Sequence, residues 1–324
     1  MVSKIAILTS GGDAPGLNAA IRAVVRTAIY NGVKVVGVQR GFEGMIDGDF
    51  VQLETRSVGN IIQRGGTILK SSRSEKFKTA EGRKEAYRQL KTTGADGLII
   101  IGGDGTFTGA RVFLSEYQIP CIGIPKTIDN DLFGTDYTIG YDTAVNTAMY
   151  AIDKIRDTAE SHNRLFLVEV MGRDAGFIAL RTGIAVGAEA ILVPETKTDI
   201  NHLFCVLETG WDRKKDSMII VVAEGDEDGG ANSIASKLKT RFPDFDIRVS
   251  ILGHVQRGGS PSCFDRVLAS KLGSAAVDAL LKGMNNLMVG EIKGEITFTP
   301  FEKAVKHHAE VNPQMHHLLQ ILSS

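Results

Sequence analysis

Gly97-Leu-Ile-Ile-Ile-Gly-Gly-Asp-Gly-Thr106 runs a short apolar strand, Gly97–Ile101, directly into a glycine-rich turn. The next strand pattern, Pro120–Ile124, closes in the same manner, on Pro125-Lys-Thr-Ile-Asp-Asn-Asp131. Strands of an open parallel sheet present their carboxyl ends to one crevice, and ligands bind there. One turn therefore admits phosphates to bare backbone, while the other aims acids at a neighbouring acceptor. That pairing suits phosphoryl transfer.

Working outward, short β-rich runs alternate with amphipathic helical patterns almost throughout, which predicts an α/β fold with mainly parallel sheets. Strand Lys4–Leu8 ends at Ser10-Gly-Gly-Asp-Ala-Pro-Gly16. A helix over Leu17–Tyr30 follows, with Ile21, Val24, Val25 and Ala28 on one face, and Asn31-Gly32 stops it. Strand Lys34–Val38 leads into a turn-rich stretch containing Gly41, Gly44 and Gly48. Further strands are expected at Leu165–Val170, Ala190–Val193, Met218–Ala223, Ile247–Leu252 and near Leu287–Val289. Helices are expected over Asp142–Ala159, Ala175–Val186, Asn201–Asp212, Ala231–Arg241 and Ser262–Lys282. Gly225–Gly230 is the most loop-like stretch; its acids lack the full register of a calcium loop.

A chain of 324 residues supports a substantial core and predicts two domains, joined by short crossovers since no polar linker separates them. With 37 Lys+Arg against 38 Asp+Glu, the net charge of −1 gives no footing for generic nucleic-acid binding. Cys121, Cys205 and Cys263 lie far apart, so neither a disulfide framework nor a zinc site is indicated. No apolar stretch is long enough for a membrane span, and Lys4-Ile-Ala-Ile-Leu-Thr9 reads as a strand, not a signal peptide. The expectation is a soluble cytoplasmic protein.

The chemistry concentrates in five turns. Ser10–Gly16 matches neither dinucleotide nor P-loop spacing, yet a strand–glycine–helix turn leaves backbone N–H groups where an anion can sit. In Gly102–Thr106 the glycines let phosphates reach the main chain, and Asp104 is placed to hold Mg²⁺; its bland alternative is a helix N-cap, worth about 1 kcal/mol. Asp129 and Asp131, one residue apart, point the same way if the segment is extended, giving a general base and a second acid that orients the hydroxyl or binds metal; the bland alternative is an Asx-turn with two solvated acids. Met171-Gly-Arg-Asp-Ala-Gly176 and Gly253-His-Val-Gln-Arg-Gly-Gly-Ser-Pro261 each set an arginine among glycines, a receptor for anions.

With these residues assembled, the chain closely resembles the 6-phosphofructokinase family along nearly its whole length, through GGDGT, PKTIDND, VEVMGRDAG and GHVQRGGSP in that order. The resemblance implies two Rossmann-like domains with the active site in the cleft between them. Residues 1–138 plus 251–304 would bind nucleotide, and 139–250 plus 305–324 the sugar phosphate. It implies ATP and Mg²⁺, with Asp129 as base for the 1-hydroxyl of fructose 6-phosphate, supported by Thr127 and Asp131. Gly12 resembles the backbone donor at the transferring phosphoryl group, and Arg173 the residue that stabilises transition-state charge. Asp104 resembles the metal ligand. Phe42, Arg73, Ser74, Gly103, Gly105, Thr106 and Gly109 would line the nucleotide site. Met171, Gly172, Glu224, His254 and Arg257 look like the fructose 6-phosphate pocket. Arg164 and Arg248 resemble arginines supplied to a neighbouring subunit, which implies a homotetramer. Arg22, Arg26, Arg156, Glu189 and Lys214 match parts of the family's effector site, which the resemblance implies binds nucleotide diphosphate or phosphoenolpyruvate between subunits.

There are departures. Lys126 stands where short bacterial ATP enzymes usually have glycine and pyrophosphate-dependent members have lysine. Those pyrophosphate enzymes also carry an aspartate at the position of Gly105, where an acid would repel the nucleotide's α-phosphate; glycine favours ATP. Thr55 and Gly59 replace an arginine and a serine common in the effector site, so effector control is expected to be blunted or altered. A non-catalytic regulatory subunit would be expected to have lost Asp104, Asp129 or Asp131, and all three are present.

Overall fold

Alternate residues of β1 (Lys4–Thr9) enter two different cores, and that alternation organises the first sheet. The computed structural model of the chain describes residues 2–161, 164–213, 215, 217–304, 314, 315, 318 and 321. It divides into two units, Met1–Thr143 with Arg257–His307, and Ala144–Gln256 with His308–Ser324. The first changeover thus falls after Thr143 and the second after Gln256, where the sequence placed them after 138 and 250.

In the first unit β1 is followed by α1 (Leu17–Tyr30), β2 (Lys34–Val38), α2 (Gly41–Asp47), β3 (Phe50–Leu53), α3 (Ala80–Thr92), β4 (Gly97–Gly102), α4 (Asp104–Glu116) and β5 (Cys121–Pro125). Then α5 (Tyr141–Glu160) carries the chain into the second unit, which holds β6 (Leu165–Val170), α6 (Phe177–Ala185), β7 (Ala190–Leu192), α7 (Ile200–Asp212), β8 (Met218–Ala223), α8 (Gly230–Arg241) and β9 (Ile247–Ile251). The first unit resumes with α9 (Cys263–Leu281), β10 (Leu287–Ile292) and β11 (Glu295–Pro300).

The first sheet is ordered β11-β10-β5-β4-β1-β2-β3 and is parallel except for its two edge strands. Ile5, Ile7, Ile99, Ile101, Ile122 and Ile124 pack with α1 and α9 on one face. Ala6, Leu8, Leu98, Ile100 and Cys121 pack with Phe107 and Phe113 of α4 on the other. Burying one such isoleucine contributes about 1.5–3 kcal/mol. Gly273 permits close packing of α9 on α1, since a Cβ there would stand 2.7 Å from that of Ala23. The second sheet, β7-β8-β6-β9, is wholly parallel, and Leu165, Leu167, Ile220 and Val222 pack with Leu203, Leu207, Ile234 and Leu238 of the covering helices.

Helices α2, α3 and α4 and strands β3 and β11 lie outside what periodicity indicates. The stretch through Gly41, Gly44 and Gly48 holds α2; a Cβ on Gly44 would meet the Gln39 carbonyl oxygen at 1.7 Å, so glycine there answers to the close approach of the backbone entering the helix. Helix α3 is largely charged and is nucleated by Thr79, whose hydroxyl caps the Gly82 N–H at 3.0 Å. The hairpin β10–β11 turns at Lys293-Gly294, with φ of 51° and 85°, and β3 is a short exposed edge. Among the described residues no helix is long and apolar enough to cross a membrane.

Candidate active site

Strands β5, β4 and β1 are consecutive neighbours, all parallel, so the turns after them leave the sheet side by side. The Ser10 N–H donates to the Ile101 carbonyl at 3.0 Å and the Lys126 N–H to that of Gly102 at 2.9 Å, which ties the three turns at their roots. A Cβ on Gly11 would stand 3.6 Å from the Thr106 hydroxyl and 3.9 Å from Nζ of Lys126; one on Gly103 would stand 3.6 Å from Cβ of Thr127. Gly12, Gly103, Asp104, Thr106, Thr127, Asp129 and Asp131 are thereby gathered on one edge of the sheet.

Each turn has a local cause. Gly11 and Gly16 take φ of 80° and 103°, open to glycine without strain, and α1 starts with no side-chain cap. Helix α4 begins at Asp104 itself, and its N-cap is Gly103; the N-cap reading of Asp104 is therefore incorrect. A Cβ on Gly105 would meet nothing within 4 Å, so open space lies beside the first turn of the helix. The uncapped first turns of α1 and α4 leave N–H donors suited to anions.

In the third turn Asp129 and Asp131 are buried, at 4% and 5% exposure. The extended geometry that would align them is absent: Asn130 between them has φ of 53°. The Asp129 N–H donates to the Thr127 hydroxyl at 3.1 Å, a short turn closed by threonine. Two solvated acids are excluded by this burial. Lys126 is 3% exposed, and its ammonium donates to the carbonyls of Ser10, at 3.3 Å, and Gly12. Arg257 reaches the same turn, donating from Nη1 to the Asp13 carbonyl at 3.2 Å.

The expected nucleotide residues differ in their surroundings. Phe42 is buried and stacks on Phe77, centroids 4.0 Å apart, and a Cβ on Gly109 would lie 3.6 Å from Phe77 and 3.7 Å from Phe42. Phe77, four residues beyond Arg73, escaped the sequence reading. The Ser74 hydroxyl donates to Glu43 and accepts the Phe77 N–H, while Arg73 is exposed. Among the described residues no group of three His, Cys, Asp or Glu forms a metal cage. Asp104, a single carboxylate at the start of α4, fits Mg²⁺ of the kind that keeps its waters and arrives on substrate phosphates.

In the second unit, β8, β6 and β9 are adjacent and parallel, and their carboxyl ends bring together Met171, Gly172, Arg173, Glu224 and His254. Gly172 and Arg173 have φ of 147° and 53°, and the Arg173 N–H donates to Glu224 at 3.1 Å. The Met171 N–H donates to the Gln256 side chain at 2.9 Å. Arg164 and Arg248 stand toward the other end of the sheet, before and early in β6 and β9, and both bind Asp246, at 2.6 and 2.7 Å. The Arg164 guanidinium, with Arg248 beside it, holds the Asp246 carboxyl below its ordinary range. These two arginines do not join the other sugar-phosphate candidates of their own unit.

Of the expected effector residues, Arg22 and Arg26 lie on α1. Arg156 donates to the Val186 carbonyl at 2.5 Å, beyond the C-terminus of α6. Glu189 is buried, accepting the Ile219 N–H at 2.6 Å, and pairs with Lys215 at 3.5 Å. Lys214 lies outside the described residues.

The family model for phosphofructokinase matches residues 4–280. The chain is 54% identical to ATP-dependent 6-phosphofructokinase 2 of Bacteroides thetaiotaomicron over 322 residues, 99% of each chain. It is also 54% identical to ATP-dependent 6-phosphofructokinase 1 of Thermus thermophilus, covering 99% of this chain and 100% of that one. Among solved structures, phosphofructokinase from Saccharomyces cerevisiae superposes with a TM-score of 0.89 at 33% identity, over 99% of this chain and 46% of that longer one.

Proposed function

The chain belongs to the phosphofructokinase family, and we propose that it is an ATP-dependent 6-phosphofructokinase of glycolysis, transferring the γ-phosphoryl group of ATP to the 1-hydroxyl of fructose 6-phosphate. The observation that carries the reading is the set of three turns on the adjacent strands β5, β4 and β1, one with two buried acids and two with bare glycine backbone.

Phosphoryl transfer asks a protein to align donor and acceptor and to neutralise charge. Asp129 is the proposed base: as the sugar oxygen bonds to the γ-phosphorus, its proton passes to the Asp129 carboxylate. The bond from that phosphorus to the β-bridging oxygen breaks, and ADP leaves. Asp131 and Thr127 support Asp129, and the Gly12 N–H donates to the transferring group. Asp104 would hold Mg²⁺, which when bound neutralises phosphate charge. Gly103, Gly105, Thr106 and Gly109, the Phe42–Phe77 stack, and Arg73 and Ser74 are the proposed nucleotide contacts. Met171, Gly172, Arg173, Glu224, His254 and Arg257 are the proposed sugar-phosphate contacts, with Arg173 stabilising transition-state charge. The pairing of Arg164 and Arg248 on Asp246, away from those residues, is consistent with their serving a neighbouring subunit of a homotetramer. A cytoplasmic location fits the three free cysteines.

ATP is preferred over pyrophosphate because Gly105 leaves open volume, and because Lys126 is engaged with the carbonyls of Ser10 and Gly12. The test is fructose 1,6-bisphosphate formation with MgATP and with magnesium pyrophosphate in separate assays. Turnover with MgATP is expected; turnover with pyrophosphate alone contradicts the assignment.

A further inference from the structure

Asn130 stands between the two buried acids in a conformation that few residues with a Cβ adopt, φ of 53°. Both ends of its side-chain amide are used. Oδ1 accepts the Thr138 N–H at 2.7 Å, and Nδ2 donates to the Asp136 carbonyl at 3.1 Å. Thr138 is 1% exposed, and its hydroxyl lies 2.6 Å from the Thr127 carbonyl and 3.1 Å from Oδ1 of Asn130. A hydroxyl has one proton, so it goes to the shorter contact, the carbonyl of Thr127. The neighbouring backbone continues the tie: the Ile139 N–H donates to the Pro125 carbonyl at 3.1 Å, and Ile139 bridges Lys126 in parallel register.

The segment Asp136–Ile139 is thus a brace laid against the acid-bearing turn, contacting it at Pro125, Thr127 and Asn130. Its polar contacts converge on the residue whose backbone sets the angle between Asp129 and Asp131. From this we infer that Asn130 and Thr138 are positioning residues for the reaction: Asn130 fixes the bend between the two carboxylates, and Thr138 locks that bend to the Thr127 carbonyl. The inference rests on Asp129 acting as the base, and it explains the asparagine: aspartate at position 130 would set an acceptor against the Asp136 carbonyl, and leucine would find neither partner. A misplacement of about 1 Å at a reacting group reduces rate by roughly 100-fold.

The test separates the bend from the brace. Asn130→Gly keeps the positive φ at no steric cost and removes both amide contacts, whereas Asn130→Ala removes them and also strains the bend. Thr138→Val removes the hydroxyl, and Thr138→Ser restores it. Steady-state kinetics on the full chain, with melting temperatures for each variant, should show Asn130→Gly and Thr138→Val lowering kcat by about 10- to 100-fold. The KM for fructose 6-phosphate should stay within about threefold, since uniform binding is untouched. Thr138→Ser should recover most of the lost kcat. Wild-type kcat in Asn130→Gly and in Thr138→Val overturns the inference, as does a rise in KM with kcat unchanged. If Asn130→Gly does not fold, the Thr138 pair decides alone. Asp129→Asn run alongside distinguishes the failures: its inactivity with unaffected Asn130→Gly and Thr138→Val sinks this inference only, and full turnover in Asp129→Asn sinks the base assignment and this inference together.

Discussion

A methyl group on Gly12 would stand 2.8 Å from Nη1 of Arg257. The turn after β1 and the arginine that follows the second unit are therefore in direct contact, with the guanidinium resting on the Asp13 carbonyl. Gly12→Ala must push the guanidinium aside, and because that group is the far end of a flexible side chain the protein should fold normally. The expected result is a fall in kcat/KM of about 10- to 100-fold at unchanged melting temperature. Arg257→Ala should raise the KM for fructose 6-phosphate more than it lowers kcat; the reverse would move Arg257 into the chemical step.

Lys126→Met keeps the length of a buried side chain and removes the donor serving Ser10 and Gly12. A hydrogen bond from a charged group contributes about 1.5–3 kcal/mol, so kcat should fall by roughly 10-fold or more as the turn loosens. Donor preference should stay with MgATP. A change of donor preference in the variant would show that Lys126 reads the donor.

Asp265 is fully buried and accepts the Gly140 N–H, the Thr143 N–H and the Thr143 hydroxyl, at 2.8, 2.8 and 2.5 Å. Asp265→Asn sets an amide against those donors and should lower stability by about 1–3 kcal/mol. Burial pushes the Asp265 carboxyl above its ordinary value, opposed by these hydrogen bonds. A raised carboxyl contributes stability below its ordinary pKa and loses it as pH rises through the raised one. Denaturant unfolding should accordingly show the gap between wild type and Asp265→Asn narrowing as pH rises upward from the ordinary carboxylate range; a gap that widens with pH contradicts this.

Thr55 and Gly59 are exposed and offer no guanidinium. Loss of a charged phosphate contact weakens binding by about 1.5–3 kcal/mol. Phosphoenolpyruvate should inhibit weakly in initial-rate assays. Strong inhibition, relieved by ADP, would overturn the expectation of blunted control.

Much of this was readable in the chain because strands and glycine turns are local. Lys4–Thr9 alternates into two cores, and Gly97–Gly102 runs into its turn within the same few residues, so periodicity finds both. What was not readable depends on partners that residue type and periodicity do not specify. Asn130 owes its conformation to Thr138 and Asp136, and Lys126 owes its burial to carbonyls at positions 10 and 12. Gly44 in α2 answers to a carbonyl at Gln39, and charged α3 hides its buried stripe of Arg83, Ala86 and Leu90. Nor does spacing reveal that two acids one residue apart are bent, not extended.

The most direct measurement is the kinetics of Asp129→Asn beside its equilibrium binding of fructose 6-phosphate. Removal of a positioned general base should lower kcat by about 100- to 10,000-fold, with sugar-phosphate affinity nearly unchanged. Near-normal turnover by that variant would contradict the assignment of Asp129 as the base.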